Sequence, residues 1–551
     1  MSFQVSPGVQ VQEIDLTNVV PAVSTSIGGY AGAFSWGPVE EIRTIGSEKE
    51  LASVFGVPPK TDIPVAQSFL TAASFLKYAT TLKVVRAVET TAKNATSGNL
   101  GNSGVQIKNR DQYDSSFADE ESVVGSWGAK YPGTLGNSLK VSVCPGSVTS
   151  GDFTAWDYSS LFTAQPGTDE LHVVIVDEDG LWTGTPGTVL EKFEFVSTVS
   201  DALKEDGSTN YYKNVLNNNS KYVWYLKSDD NLVGSGATEE VIEYSLVGGT
   251  DVTVVASSVN TALELFADAE TVDVNLLFAG ADADGATDIA AKLCEIANTR
   301  KDLLVFLSPP LEASVGTSTP ADDVKAWAAD AQATTYGNSS YAVYDSTALK
   351  IYDKYSDTYR WIPACGHVAG LCANTDQVAD AWFSPAGLNR GQLLGVTKLA
   401  YNAKQADRDA LYKASVNPIV SFPGQGTILF GDKTGLTKPS AFDRINVRRL
   451  FITLEKAIST AAKFQLFEFN DEFTRAMFRN MVEPFLRDVQ GRRGLTDFLV
   501  VCDTTNNTAE VVDRNEFRAE IYIKPARSIN YITLSFIATR SGVQFSELVG
   551  K

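Results

Sequence analysis

Residues 274–310 alternate strand, helix and strand patterns, and this order restricts the fold more than any other feature of the chain. The apolar run VNLLFAG comes first, the helical pattern ATDIAAKLCEIANTR follows, and the run DLLVFLSPP comes last. Two strands joined by a helix in this way typically lie parallel in one sheet. Residues 64–79 show a helical pattern, and the buried-strand pattern LKVVRAV follows it, so helix and strand alternate here as well. The sequence therefore predicts a middle α/β domain made of residues 23–95 and 251–437.

The segment between these two pieces, residues 96–250, has a different composition. Gly, Ser, Thr, Asn and Asp are frequent, and short apolar runs such as LHVVIVDEDG, EKFEFVSTV and KYVWYLKS are separated by polar turns. Strands at such spacing are typical of all-β structure. We expect an inserted, outward-protruding all-β domain.

Two helices are predicted after the middle domain. Residues 443–469 are typical of one long amphipathic helix. Its predicted inward positions are Val447, Leu450 or Phe451, Leu454, Ile458, and Ala461 or Ala462. Asn470 or Asp471 can cap a second helix, and Pro484 should kink or split that helix.

Three strand patterns follow the helices: DFLVVCD, FRAEIYIKP and NYITLSFIAT. In the last, Ile532, Leu534 and Phe536 share one face. The sequence thus predicts a C-terminal domain over 438–551 with two helices and an antiparallel sheet, in a multidomain chain of mixed α+β and α/β class.

Residues 1–22 contain a strand pattern that has no partner nearby. Val9 and Val11 alternate with Gln10 and Gln12, and no tight turn follows that could fold the strand back. Its free N–H and C=O groups must still find hydrogen-bond partners. We expect an N-terminal arm that joins a distant sheet, either in its own chain or in another.

Charge and composition exclude several classes of protein. The net charge of −20 argues against direct binding of nucleic acid or an anionic membrane. Residues 438–551 are nevertheless mildly basic, with 17 Lys and Arg against 14 Asp and Glu. No apolar run is long enough to span a membrane, and no secretory signal is expected at the N-terminus. The five cysteines are predicted to be reduced and buried, as in a protein made in a cytoplasm.

Motifs that carry chemistry are incomplete. In PGQGTILFGDKTG, Asp432 stands between Gly431 and Lys433, where a phosphate loop requires the lysine to follow the glycine directly. The group Cys365, His367 and Cys372 lacks zinc-ligand spacing, and GADADGATD is an incomplete calcium loop. A Ser/His/Asp set needs a histidine as its general base, and the chain has only two histidines in 551 residues. We expect no enzyme activity, no cofactor and no metal.

Several ordered motifs indicate a family. They are SPGVQVQEID, AGAFSWGPVEE with VFG, AKYPGTLGNSL, HVAGLCANTD with WFSPAGLNRGQLLGV, GQGTILFGDKT, and the stretch from NVRRLFITLEK to FLVVCDTTNNT. The chain resembles the tail sheath proteins of contractile-tailed bacteriophages and related contractile injection systems. The resemblance implies a structural virion protein that polymerises as a helical contractile sheath around the tail tube. Contraction of that sheath would drive the tube through the host cell envelope during genome delivery.

The resemblance also implies partners and a role for the termini. Strands from two neighbouring subunits would add to the C-terminal sheet of a third, a form of β-augmentation. The exchanged residues would be Val9, Val11, Ile14, Ile532, Leu534 and Phe536. Partners would be further copies in stacked rings, the tail tube protein, and the baseplate and tail terminator proteins, with no direct contact to nucleic acid or membrane. The protein would reside in the virion tail after assembly in the host bacterial cytoplasm.

Arg449, Lys456 and Lys463 are spaced by seven residues on the predicted long helix. Such spacing places them on one helix face with a small drift. Two interpretations stay open: a positive stripe that faces the tube, or a solvated helix face.

Two rival functions come from other classes. One is a surface-layer or adhesive protein that uses the β insertion for binding, and the expected lack of a signal peptide argues against it. The other is an α/β enzyme whose site the sequence does not reveal.

Overall fold

The structure is a computed structural model that describes residues 23–98, 104–117, 125–226, 240–280 and 285–530. The strands are β1 (Gly28–Gly32), β2 (Arg43–Ile45), β3 (Leu82–Arg86), β4 (Trp127–Ala129), β5 (Leu139–Pro145), β6 (Glu170–Asp177), β7 (Thr188–Ser197), β8 (Val223–Tyr225), β9 (Ile242–Ser245), β10 (Leu276–Ala279), β11 (Leu304–Leu307), β12 (Ala342–Asp345), β13 (Leu349–Asp353), β14 (Thr358–Ile362), β15 (Val396–Leu399), β16 (Val416–Asn417), β17 (Ile419–Phe422), β18 (Gly426–Leu429), β19 (Leu495–Val501) and β20 (Glu520–Pro525). The helices are α1 (Glu48–Phe55), α2 (Ile63–Phe75), α3 (Arg110–Ser116), α4 (Ser150–Ala155), α5 (Tyr212–Asn219), α6 (Ala256–Glu264), α7 (Ala286–Arg300), α8 (Pro320–Ala333), α9 (Cys365–Val378), α10 (Gln405–Lys413), α11 (Ile445–Ala462), α12 (Glu472–Gly491) and α13 (Ala509–Asp513).

A seven-stranded sheet with the order β16-β12-β11-β10-β1-β3-β2 forms the centre of the larger compact unit. Its neighbouring strands are parallel except for the edge strand β2, which is antiparallel to β3. Both faces are covered, as parallel sheets require. Phe278 and Phe306 point into a core that contains α2 and α9, and Leu277 and Val305 point into a second core that contains α6, α7 and α8. The predicted strand–helix–strand unit is confirmed as β10, α7 and β11.

The inserted segment contains a four-stranded antiparallel sheet, β7-β6-β5-β9, and the pair β4-β8. The prediction that it is all-β is wrong in detail, because α3, α4 and α5 also lie there. These helices are short and largely polar, so they leave no clear 3.6-residue apolar period in the sequence. Whether residues 96–250 form a separate outward domain stays a prediction.

Arg86, the last residue of β3, joins the insertion to the parallel sheet. Its guanidinium is buried and donates hydrogen bonds to the carbonyls of Phe34 (2.9 Å), Gly37 (3.0 Å) and Pro132 (2.8 Å). Pro132 belongs to the insertion, while the other two carbonyls follow β1. Burial lowers the pKa of Arg86 to about 10, so the side chain is still charged at neutral pH. The charged group therefore fixes the insertion at the carboxyl end of β3.

The described chain divides into two compact units, residues 23–464 and 465–530. Helix α11 lies within the larger unit and ends at Ala462 rather than near residue 469. Val447, Leu450, Leu454 and Ala461 are buried as predicted, whereas Ile458 is half-buried.

The smaller unit contains α12, β19 and β20. Asp471 caps α12 by accepting a hydrogen bond from the Thr474 amide at 2.8 Å, as one of the two predicted caps. The helix runs through Pro484 to Gly491 without a break, so the predicted split does not occur. Strands β19 and β20 are antiparallel, and the third predicted strand lies almost entirely beyond the described residues. Within the described ranges, no helix combines the length and apolar character needed to cross a membrane.

Candidate functional site

Strands β19 and β20 form a two-stranded ribbon in the smaller unit. Leu499 lies directly opposite Tyr522, and both side chains are more than half exposed. Val500 on the other face is buried, and α12 packs against β19. Among the described residues each strand has one strand neighbour, so each has one open edge. An isolated pair of strands is only marginally stable in water, and the packing of α12 against β19 supports this ribbon.

The residues predicted to be exchanged between subunits lie outside the described residues. They are Val9, Val11, Ile14, Ile532, Leu534 and Phe536. Their role therefore stays a prediction.

Arg449 does not lie on an exposed stripe, so the prediction that it faces the tube is wrong. Its side chain is 4% exposed and is ion-paired with Asp376 of α9 at 2.6 Å. The same guanidinium donates hydrogen bonds to the carbonyls of Cys372 (3.1 Å) and Thr25 (3.4 Å). A buried guanidinium requires such partners, and here they fix α11 to α9 and to the segment before β1.

The other two members of the predicted stripe have different surroundings. Lys456 is ion-paired with Asp273 and is partly buried, whereas Lys463 is exposed just beyond the end of α11. For these two lysines, contact with the tube stays a prediction.

The motifs considered for catalysis occupy structural positions, apart from GADADGATD, of which residues 281–284 lie outside the described residues. The sequence PGQGTILFGDKTG contributes the turn and the second strand of the hairpin β17–β18, with Gly424 and Gly426 at φ values of 77° and 78°. His172 and His367 are both fully buried, and burial lowers the pKa of both imidazoles. All five cysteines are buried and free of disulfides, as predicted.

A polar cluster lies at the carboxyl edge of the parallel sheet, where α/β enzymes usually have their active sites. Ser308, which follows β11, donates a hydrogen bond to Asp345 at the end of β12 (2.5 Å). The backbone amide of Cys365, the first residue of α9, donates to the Ser308 hydroxyl at 2.8 Å. The adjoining cavity measures about 20 Å³, which is room for about one water molecule.

Burial determines the protonation of this cluster. It raises the pKa of Asp345 to about 8 and that of the Cys365 thiol to about 12. At neutral pH the carboxyl is therefore largely protonated and the thiol is not a nucleophile. This arrangement fits a structural link between β11, β12 and α9 better than a catalytic site.

The raised pKa of Asp345 predicts a stability that depends on pH. The folded chain keeps a proton up to a pKa of about 8, whereas the unfolded chain releases it near the ordinary value of 3.8. Between these values the folded state binds more protons, so its stability falls as pH rises. Asp345→Asn, whose amide does not titrate, should therefore gain stability relative to the wild type from pH 5 to pH 8 in urea unfolding.

The matched control for this experiment is Asp322→Asn on α8, a carboxylate on the surface. Asp345→Asn should gain more stability than this control between pH 5 and pH 8. A difference between Asp345→Asn and the wild type that is the same at both pH values would contradict the assignment of a buried, protonated carboxyl.

Comparisons with known proteins agree with the sequence motifs. A family model of the phage tail sheath protein central domain matches residues 255–435, and one of the phage tail sheath C-terminal domain matches residues 437–539. The tail sheath protein of Vibrio phage KVP40 is 32% identical over an alignment of 685 positions, with 99% of each chain covered. That of Enterobacteria phage T4 is 33% identical over an alignment of 659 positions, again with 99% of each chain covered.

Solved structures agree on the fold. The sheath tail protein from Desulfitobacterium hafniense aligns with a TM-score of 0.54 at 14% identity, covering 94% of this chain and 100% of that one. The PVC sheath complex of an extracellular contractile injection system, in its contracted state, aligns with a TM-score of 0.52 at 14% identity, covering 98% and 99%. With full-length relatives above 30% identity and both domain models matched in order, the chain belongs to the phage tail sheath protein family.

Proposed function

We propose that the protein polymerises as a helical contractile sheath around a tail tube, and that contraction drives the tube through the host cell envelope during genome delivery. Membership of the phage tail sheath family supports this function most directly. In this function the protein has a mechanical role in the virion tail and no catalytic one. Assembly would take place in the cytoplasm of the host bacterium.

Exchange of terminal strands is the proposed means of polymerisation. The N-terminal strand of one subunit, with Val9, Val11 and Ile14, and the C-terminal strand of another, with Ile532, Leu534 and Phe536, would extend the sheet of a third. The open edges of β19 and β20 support this proposal, as does the uncovered pair Leu499 and Tyr522. Such a contact is heterologous and does not close, so it builds helices rather than dimers.

The energy for contraction would be stored at assembly. An extended sheath would hold its subunits in a metastable packing, and contraction would move them to a packing of lower free energy. In this mechanism the terminal strands keep neighbouring subunits linked while the compact units move.

We assign separate roles to the domains that the sequence predicts. Residues 1–22 would form the arm, residues 23–95 and 251–437 the middle domain, and residues 96–250 the outer domain. Residues 438–551 would form the inner domain, whose first helix α11 packs against the middle domain through Arg449 and Asp376. The inner domain would contact the tail tube, with Lys456 and Lys463 as candidate contacts, and the baseplate and tail terminator would bind at the sheath ends. No direct contact with nucleic acid or membrane is proposed.

Electron microscopy of the purified protein tests the function. We expect hollow, striated sheaths above a critical concentration, because each subunit offers both the open sheet and the strands that fill it. Monodisperse particles at every concentration would contradict polymerisation and would favour one of the rival functions.

A further inference from the structure

The connector between α11 and α12, together with the start of α12, carries exposed large apolar side chains, which we call the connector patch. Its members, all in the smaller unit, are Leu466 (62% exposed), Phe467 (104%), Phe469 (84%) and Phe473 (70%). Phe467 and Phe469 are the two most exposed large apolar side chains among the described residues. Soluble monomers seldom expose apolar groups in such a cluster, so the connector patch indicates a surface that is covered in use.

The C-terminal end of the connector is fixed to the rest of the smaller unit. Asp471 caps α12, and the Asn470 amide donates a hydrogen bond to the carbonyl of Glu516 at 2.8 Å. Phe467 has a φ of 72°, a left-handed conformation that costs a bulky residue free energy. Because the Phe467 side chain is fully exposed, no packing within its own chain offsets this cost. A partner that buries the Phe467 ring would compensate it.

The position of the connector relates it to the strand-accepting sheet. Glu516, which Asn470 contacts, lies in the segment that leads into β20, and the carbonyl and amide of Arg518 are both hydrogen-bonded to the Asn507 side chain. The same hydrogen-bonded loop therefore joins the connector to the ribbon β19–β20. Strands that add to this ribbon from other copies would bring those copies beside the connector patch.

The size of the connector patch also fits a subunit contact. Fully burying its four side chains would remove on the order of 600 Å² of apolar surface from water. One side of a standard protein–protein interface buries about 800 Å². The patch alone thus supplies most of the area of one side of a stable contact.

We propose that the connector patch packs against a second copy of this chain in the assembled sheath. The proposal rests on the proposed polymerisation and adds to it an apolar contact that does not depend on main-chain pairing. In this arrangement the exchanged strands specify which subunits are linked, and the connector patch supplies apolar burial beside the link.

The first test compares three variants of the full chain. Phe467→Ser combined with Phe469→Ser should raise the critical concentration for sheath formation by about tenfold or more, measured by sedimentation. Leu466→Ser should raise it less. Leu203→Ser, which removes a leucine of similar exposure (67% against 62%) from the inserted segment, should leave it unchanged. The melting temperature of the monomer should be unaffected in all three.

A second measurement reports burial of the connector directly. Because all five natural cysteines are buried, Phe467→Cys introduces one reactive thiol. This thiol should react rapidly with a maleimide dye in the monomer and be protected in hollow sheaths assembled without tube protein. Leu203→Cys should stay reactive in both.

Three outcomes would overturn the proposal. They are an unchanged critical concentration for the double variant, a loss of monomer stability that shows the patch to be covered within its own chain, and protection of the Phe467→Cys thiol only when tube is present. Failure of the wild type to polymerise would instead count against the proposed function, so the two failures are distinguishable.

Discussion

Removal of residues 1–15 is expected to leave a folded, soluble monomer that cannot form sheaths at any accessible concentration. The reason is that the strand in this segment would complete the sheet of another subunit, whereas the described cores of its own chain are formed without it. Sedimentation and electron microscopy should show monomers only, and the melting temperature should match that of the wild type. Long sheaths from the truncated protein would contradict strand exchange.

A matched pair of substitutions separates this effect from a mere shortening of the chain. Val9→Asp with Val11→Asp places charges on the apolar face of the strand and should prevent assembly. Gln10→Asp with Gln12→Asp adds the same charge to the opposite face and should be tolerated, because successive side chains in a strand point to opposite sides. Equal effects of the two double variants would argue against pairing as a half-buried strand.

Asp376→Ala is expected to destabilise the larger unit by about 3–5 kcal/mol, the usual cost of leaving a buried charge without its partner. The side chains of Asp376 and Arg449 are 8% and 4% exposed, so water cannot replace the carboxylate. Urea unfolding of the full chain, followed by tryptophan fluorescence, measures the change. The double variant Asp376→Leu with Arg449→Met should recover most of the loss, because it removes both charges.

The control is the pair formed by Lys325 and Asp322 on α8, whose side chains are 36% and 73% exposed. Asp322→Ala should cost at most about 1 kcal/mol, as is typical of surface ion pairs. A cost for Asp376→Ala no larger than this would show that the buried pair does not hold α11 to α9.

The parallel sheet could be predicted from the sequence because its strands are buried on both faces. Apolar runs such as VNLLFAG and DLLVFLSPP indicate strands that are covered on both faces. The helical period between them indicates a helical connection between two parallel strands. The end of α11 could not be predicted in the same way. After Lys463 the apolar residues of FQLFEF satisfy more than one period over a short run, and such runs are ambiguous.

The error over Arg449 has a different cause. A seven-residue spacing indicates a shared helix face, but it carries no information on whether that face meets solvent or a counter-charge. The counter-charge, Asp376, is 73 residues earlier in the chain and gives no local signal. The Ser308–Asp345 link could not be predicted for the same reason, since Ser308 follows β11, Asp345 ends β12, and the two residues are 37 positions apart in the chain.

The position of β1 determines how the described part of the chain responds to tension. Strand β1 lies inside the parallel sheet between β10 and β3, and Arg449 holds the Thr25 carbonyl just before it. A force directed along β1 would load its main-chain hydrogen bonds on both sides in shear. Bonds loaded together resist far more force than bonds opened one after another, so a neighbouring subunit that pulled along this strand would act where tension is least able to unfold the subunit.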